Sequence, residues 1–179
     1  MNSLTVVSRS AKKTRGWGSR LARLLHGGDI IGLIGELGAG KTCFVRGVSE
    51  GLEVSKNAWI RSPSFTLINE YQGRLPIYHI DLYRINSREE TEGLNLREYL
   101  YGDGASLVEW FERLPADEVN EYLEVKLVYA NGEKRELTFT AHGERYEQII
   151  KGLRGQRFKS KRVQGSKVQK FKGQRSSVR

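Results

Sequence analysis

Gly35-Glu36-Leu37-Gly38-Ala39-Gly40-Lys41-Thr42 is a complete G-x-x-x-x-G-K-[ST] sequence, and its flanks decide the fold. Asp29 opens the apolar run Ile30-Ile31-Gly32-Leu33-Ile34, short and β-branched enough for a buried strand, while Phe44, Val45 and Val48 recur beyond the loop at helical spacing. The loop therefore joins strand to helix. Glycines at 35, 38 and 40 let backbone N–H groups turn toward a polyphosphate, and the helix N-terminus adds partial positive charge. Lys41 can reach the outer phosphates, and Thr42 can offer its hydroxyl to Mg2+. Residues 35–42, with Cys43 directly after them, form the expected nucleotide-binding set.

The 179 residues suit one well-buried domain. The net charge of +9 suggests nucleic acid, but its distribution does not. Residues 151–179 hold eleven Lys or Arg and no acid, which leaves nineteen bases against twenty-one acids in residues 1–150, a net −2 for the body. Cys43 is the one cysteine, so an internal disulfide is excluded and a reducing, cytoplasmic setting fits. Its place near a helix N-terminus favours a thiolate, leaving a redox-sensitive nucleotide site open beside the plainer reading of a small helix filler. No apolar stretch approaches the roughly 20 residues that cross a bilayer, so no membrane partner is expected. The first 28 residues lack acid, as an organellar transit peptide would, but Trp17, Leu21, Leu24 and Leu25 form a helical stripe suited to packing on the domain.

A strand near Leu4–Val7 precedes that helix, and the loop helix should run to about Glu50. Phe65–Tyr71 and Leu75–Ile80 read as strands of a hairpin. Ser87 with Glu90 makes a capping-box signal for a helix through about Leu100. Ser106–Val108 reads as another buried strand, and alternation on either side of Asn131-Gly132 predicts a closing hairpin. Tyr146, Ile149, Ile150 and Leu153 mark a last helix. The expected fold is α/β, a P-loop NTPase-like three-layer arrangement with a mixed central sheet, parallel at its core with antiparallel strands added. Residues 1–153 form the expected ATPase domain, and residues 154–179, too poor in apolar surface to offset chain entropy, a disordered basic tail.

Phosphoryl chemistry also needs carboxylates at strand ends. Asp81 follows Ile77-Tyr78-His79-Ile80 and Glu109 follows Leu107-Val108, each an acid emerging from an apolar run where α/β sheets place ligands. Ser62-Pro63-Ser64-Phe65-Thr66 offers hydroxyls on a Pro-stiffened loop, as a γ-phosphate switch would. An N/T-K-x-D guanine motif does not occur, so ATP is favoured over GTP.

The loop, Ser62-Pro-Ser-Phe-Thr-Leu67, His79-Ile-Asp-Leu-Tyr-Arg84 and Val108-Glu-Trp110, in that order and preceded by Ser10, Thr14 and Gly18 in an S-x-x-x-T-x-x-x-G pattern, resemble the TsaE (YjeE) family of small bacterial P-loop ATPases. The resemblance covers roughly residues 4 to 152. It implies an ATPase needed for threonylcarbamoyladenosine modification of the adenosine beside the anticodon in tRNAs reading ANN codons, docking on a TsaD–TsaB complex and letting it turn over. By matching motifs, Lys41 holds phosphates, Thr42 and Glu109 bind Mg2+ directly or through water, and Asp81 positions or activates the hydrolytic water. Trp110 matches a family tryptophan linked to activity or docking. Glu36 stands where Asp is common, Ser64 and Cys43 where Thr is, and Trp17 where Leu is. Family members end near the last helix, so the tail inherits no role.

Two other readings compete. A small-metabolite P-loop kinase is the alternative, although an Arg-rich lid segment is missing after the loop. The tail residues Arg154, Arg157, Lys159, Lys161, Arg162, Lys167, Lys170, Lys172 and Arg175, with Phe158 and Phe171 to stack on bases, could contact tRNA directly.

Overall fold

The computed structural model describes residues 2–155. Strands β1 (Ser3–Ser8), β2 (Ile30–Ile34), β3 (Ile68–Tyr71), β4 (Ile77–Asp81), β5 (Ala105–Glu109), β6 (Tyr122–Asn131) and β7 (Lys134–His142) form one sheet. Its order is β1-β7-β6-β2-β5-β4-β3. The four inner strands β6, β2, β5 and β4 pair in parallel, while β1, β7 and β3 add antiparallel edges. That is the mixed sheet the sequence predicts.

Period-two alternation along β2 divides the core. Ile31 and Leu33 face helices α1 (Ala11–Ala22), α2 (Lys41–Gly51) and α5 (Glu144–Gly155), where Leu21, Phe44, Val48, Ile149 and Leu153 are buried. Ile30, with Ile80 and Val108, faces the other way, onto the short helix α4 (Leu96–Leu100), which follows the short α3 (Arg88–Glu92), and onto a 3-10 turn at Phe111–Arg113. The layers are helix, sheet, helix.

The upstream S-x-x-x-T-x-x-x-G pattern has a structural explanation. Ser10 caps α1 by accepting from Lys13 N at 3.3 Å, and the buried Thr14 hydroxyl bonds Ser8 Oγ at 2.8 Å. Gly18 lets α1 and α2 touch: a Cβ there would lie 2.4 Å from Phe44 O. Gly47 does the same from α2, since its Cβ would fall 2.1 Å from Arg15 O. This crossing sets the direction of α2 and hence of the Gly35–Thr42 loop that precedes it.

Asp29, expected only to open a strand, does more. Buried at 4% exposure, it accepts from His26 N at 2.8 Å and from Arg145 Nε and Nη2 at 2.9 and 2.7 Å. Beside it Tyr146 Oη accepts from Ile30 N at 2.8 Å, and burial pushes that phenol up to about 12, so it stays neutral. Together they fasten α5 to the start of β2.

Three expectations need correction. The strand expected from Phe65 starts only at Ile68, because Leu67 takes a φ of 64° and its N–H turns back to Pro63 O. The helix expected from Ser87 to Leu100 is two helices: the first closes at Gly93, and Asn95, at φ 49°, takes a left-handed conformation from which the second starts. Its cap is also shifted: Ser87 Oγ accepts from Glu90 N, but the Glu90 carboxylate reaches back to Asn86 N rather than Ser87 N. The last helix includes Arg154 and Gly155, and Arg154 donates to Ser3 O at 2.6 Å. The rest of the expected disordered tail lies outside the described residues, as do, Arg154 apart, the side chains expected to contact tRNA.

Gly47→Ala tests the crossing. Helix propensity alone predicts a gain of about 1 kcal/mol, whereas overpacking against Arg15 predicts a cost of about 1–3 kcal/mol. Urea denaturation should show a net loss; stability equal to or above the parent contradicts the crossing.

Candidate active site

The loop between β2 and α2 bends through Gly35, Gly38 and Gly40, with φ of 151°, 79° and 110°. At Gly35 a side chain would also strike Leu127 O, 2.4 Å from the ideal Cβ. From the far side Arg135 on β7 donates to Ala39 O at 3.2 Å, holding the loop to the closing hairpin.

Lys41 opens α2 and is 4% exposed. Its Nζ donates to Gly35 O and to Glu36 O at 3.2 Å, and sits 3.8 Å from the Trp110 ring centroid. Burial pushes its ammonium below the usual lysine range, opposed by Glu109 first, then Glu112, Asp81 and Glu36. Trp110 takes a φ of 59°, packs on Tyr83 at 5.1 Å between centroids, and has the Arg113 guanidinium 5.3 Å from its ring.

Asp81 and Glu109 are register neighbours at the carboxyl ends of β4 and β5. Both are buried, at 2% and 3% exposure. Glu109 Oε1 accepts from Thr42 Oγ1 at 2.8 Å and bonds His79 Nε2 at 2.9 Å. Asp81 accepts from the Ser62 hydroxyl through Oδ2 and from Tyr83 N at 2.9 Å through Oδ1. Thr42 thus pairs with Glu109, and Ser62 with Asp81.

These groups line a cavity of about 350 Å³ that also includes Leu37, Gly38, Gly40, Ser64 and Trp110. A second cavity of about 410 Å³ shares Gly38, Gly40 and Cys43 and continues to Ser10, Lys12, Thr14, Glu133 and Arg135. A larger one of about 650 Å³, beside α2 at Val54 and Trp59, contains none of the carboxylates, so volume does not identify the site. The donors at Thr42, Glu109 and Asp81 are all oxygens, suited to Mg2+. Among the described residues no group of three or more His, Cys, Asp or Glu could hold a metal by itself. This set fits Mg2+ bound chiefly through phosphate oxygens and water, with few protein ligands.

Every site residue expected from the sequence thus borders one of two adjoining cavities or the loop between them. Cys43 differs in chemistry: its Sγ donates to Ala11 O at 3.4 Å and burial raises its thiol, so the thiolate expected near a helix N-terminus is not favoured. Three contacts escaped the sequence reading. His79 lies two residues before Asp81, on the same strand face, and alternation could have found it. Tyr83 acts through its backbone N–H, and Arg135 reaches the loop across 96 residues, without any sequence signal.

The family model described as "Threonylcarbamoyl adenosine biosynthesis protein TsaE" matches residues 8–137. The protein named tRNA threonylcarbamoyladenosine biosynthesis protein TsaE in Bacillus subtilis is 41% identical over 154 residues, 86% of this chain and 95% of its own length. Its namesake in Treponema pallidum is 47% identical over 116 residues, 65% of this chain and 84% of its own. Among solved structures, Bacillus subtilis YdiB superposes with a TM-score of 0.72 at 37% identity, covering 86% of this chain and 95% of that one. Loop, strand-end carboxylates and matched length agree: the chain belongs to the TsaE family.

Proposed function

We propose that this protein binds and hydrolyses Mg2+-ATP as an accessory to threonylcarbamoyladenosine modification of ANN-decoding tRNAs, acting on a TsaD–TsaB complex to permit its turnover. The observation that carries the reading is the pairing of Thr42 with Glu109 beside the loop lysine. A carboxylate only accepts hydrogen bonds, so the Thr42 hydroxyl gives its proton to Glu109 and keeps its lone pairs for a cation. That favours Thr42 and Glu109 as the Mg2+ residues. When bound, Mg2+ neutralises charge on the phosphates.

Asp81 is left for the water. Ser62 and Tyr83 N engage one oxygen each, which fixes the carboxylate plane so that a remaining lone pair can orient an attacking water. Lys41 exchanges its carbonyl partners for phosphate oxygens, and the loop N–H groups stabilise the charge that develops. The second cavity, continuous with the loop through Gly38 and Gly40, has room for the nucleoside.

Two large apolar side chains near the loop are exposed. Leu37 and Phe65 are 76% and 84% exposed, on the phosphate loop and on the segment that carries Ser62 and Ser64. Among the described residues no helix is long and apolar enough to cross a membrane.

Thr42→Ala and Glu109→Ala should each lower ATP hydrolysis at least about a hundredfold, as loss of a transition-state contact of this kind does, in protein that its melting curve still shows folded at the assay temperature. ADP release assayed without any added phosphate acceptor measures this, and parental rates in both variants contradict the metal assignment. Co-purification with TsaD and TsaB should depend on ATP. Absence of association with and without ATP contradicts the accessory role.

A further inference from the structure

His79 is fully buried on β4, and its ring makes one polar contact, from Nε2 to Glu109 Oε1 at 2.9 Å. The same oxygen accepts from Thr42 Oγ1. Because the carboxylate only accepts, Nε2 must carry the proton. Nδ1 has no protein partner among the described residues, and the neighbouring Tyr71 ring lies 6.5 Å away between centroids. A histidine kept only for the core would serve as well with an apolar replacement, whereas this one brings a single donor to a buried carboxylate. Two donors from two elements, α2 and β4, converge on Oε1 and leave Oε2 outside both bonds, in a residue that lines the cleft.

We propose that His79 is a positioning residue for the Mg2+ site, its Nε2–H holding Glu109 in the orientation from which Thr42 and Glu109 meet the cation. The inference rests on the reading of Thr42 and Glu109 as the Mg2+ residues. It predicts a dependence on reach. Gln carries its amide nitrogen about as far from the backbone as imidazole Nε2, whereas Asn stops near the position of Nδ1.

The test titrates Mg2+ against binding of a fluorescent ATP analogue to the full-length parent, Thr42→Ala, His79→Asn and His79→Gln, each at a temperature where its melting curve shows it folded. His79→Asn should raise the Mg2+ concentration for half-maximal binding by about tenfold or more, the usual range for losing an outer hydrogen bond to a metal-site carboxylate. His79→Gln should restore the parental value. Equal behaviour of Asn and Gln, with Thr42→Ala still shifted, overturns the role of His79 alone. An unshifted Thr42→Ala overturns the metal reading beneath it. Long-range 1H–15N NMR of the unmodified protein gives a check that no substitution can disturb: the His79 proton should be on Nε2, and a proton on Nδ1 alone overturns the proposal.

Discussion

A buried carboxylate must be compensated, and Glu109 at 3% exposure is the constraint around which this fold is arranged. Its hydrogen-bond donors come from α2 and β4, and it is the strongest charge pulling on Lys41. These can meet only if β5 lies between β2 and β4 in parallel, so that both acids emerge at the end of the sheet where the loop turns. The α1–α2 crossing then fixes how α2 leaves the loop, and the Asp29–Arg145 pair fastens the opposite end of β2. Supports at both ends keep the strand-loop-helix unit in place.

The same arrangement divides the labour of the two acids. In sequence Asp81 and Glu109 are equivalent, each following an apolar run. In space they differ by partner: a threonine at the head of α2 for one, a serine on the segment before β3 for the other. The Ser62–Asp81 bond ties the proposed water-orienting acid to the segment that displays Phe65.

Much of this was legible because its signals are local. The loop, its strand and helix, the closing hairpin at Asn131-Gly132 and the acids at strand ends all rest on spacing within a few residues. What stayed hidden depends on distant partners. Arg135 on the phosphate loop, Asp29 with Arg145, and Gly47 against Arg15 join residues far apart in sequence, and no periodicity announces them. The break after Gly93 and the late start of β3 lie beyond local signals for a related reason. Asn95 and Leu67 adopt positive φ, a choice set by where Leu96 must be buried and where Asp81 N finds Leu67 O rather than by local propensity.

In the proposed function the cleft holds a divalent cation between bound phosphates and the Thr42–Glu109 pair. A crystal structure of the full-length protein with a non-hydrolysable ATP analogue and Mn2+ in place of Mg2+ tests it most directly, because Mn2+ is located by its anomalous scattering. One strong anomalous peak is expected in contact with Thr42 Oγ1, with Glu109 bound to it directly or through one water. A nucleotide bound in the cleft with the peak elsewhere, or a nucleotide bound away from Gly35–Thr42, would contradict it.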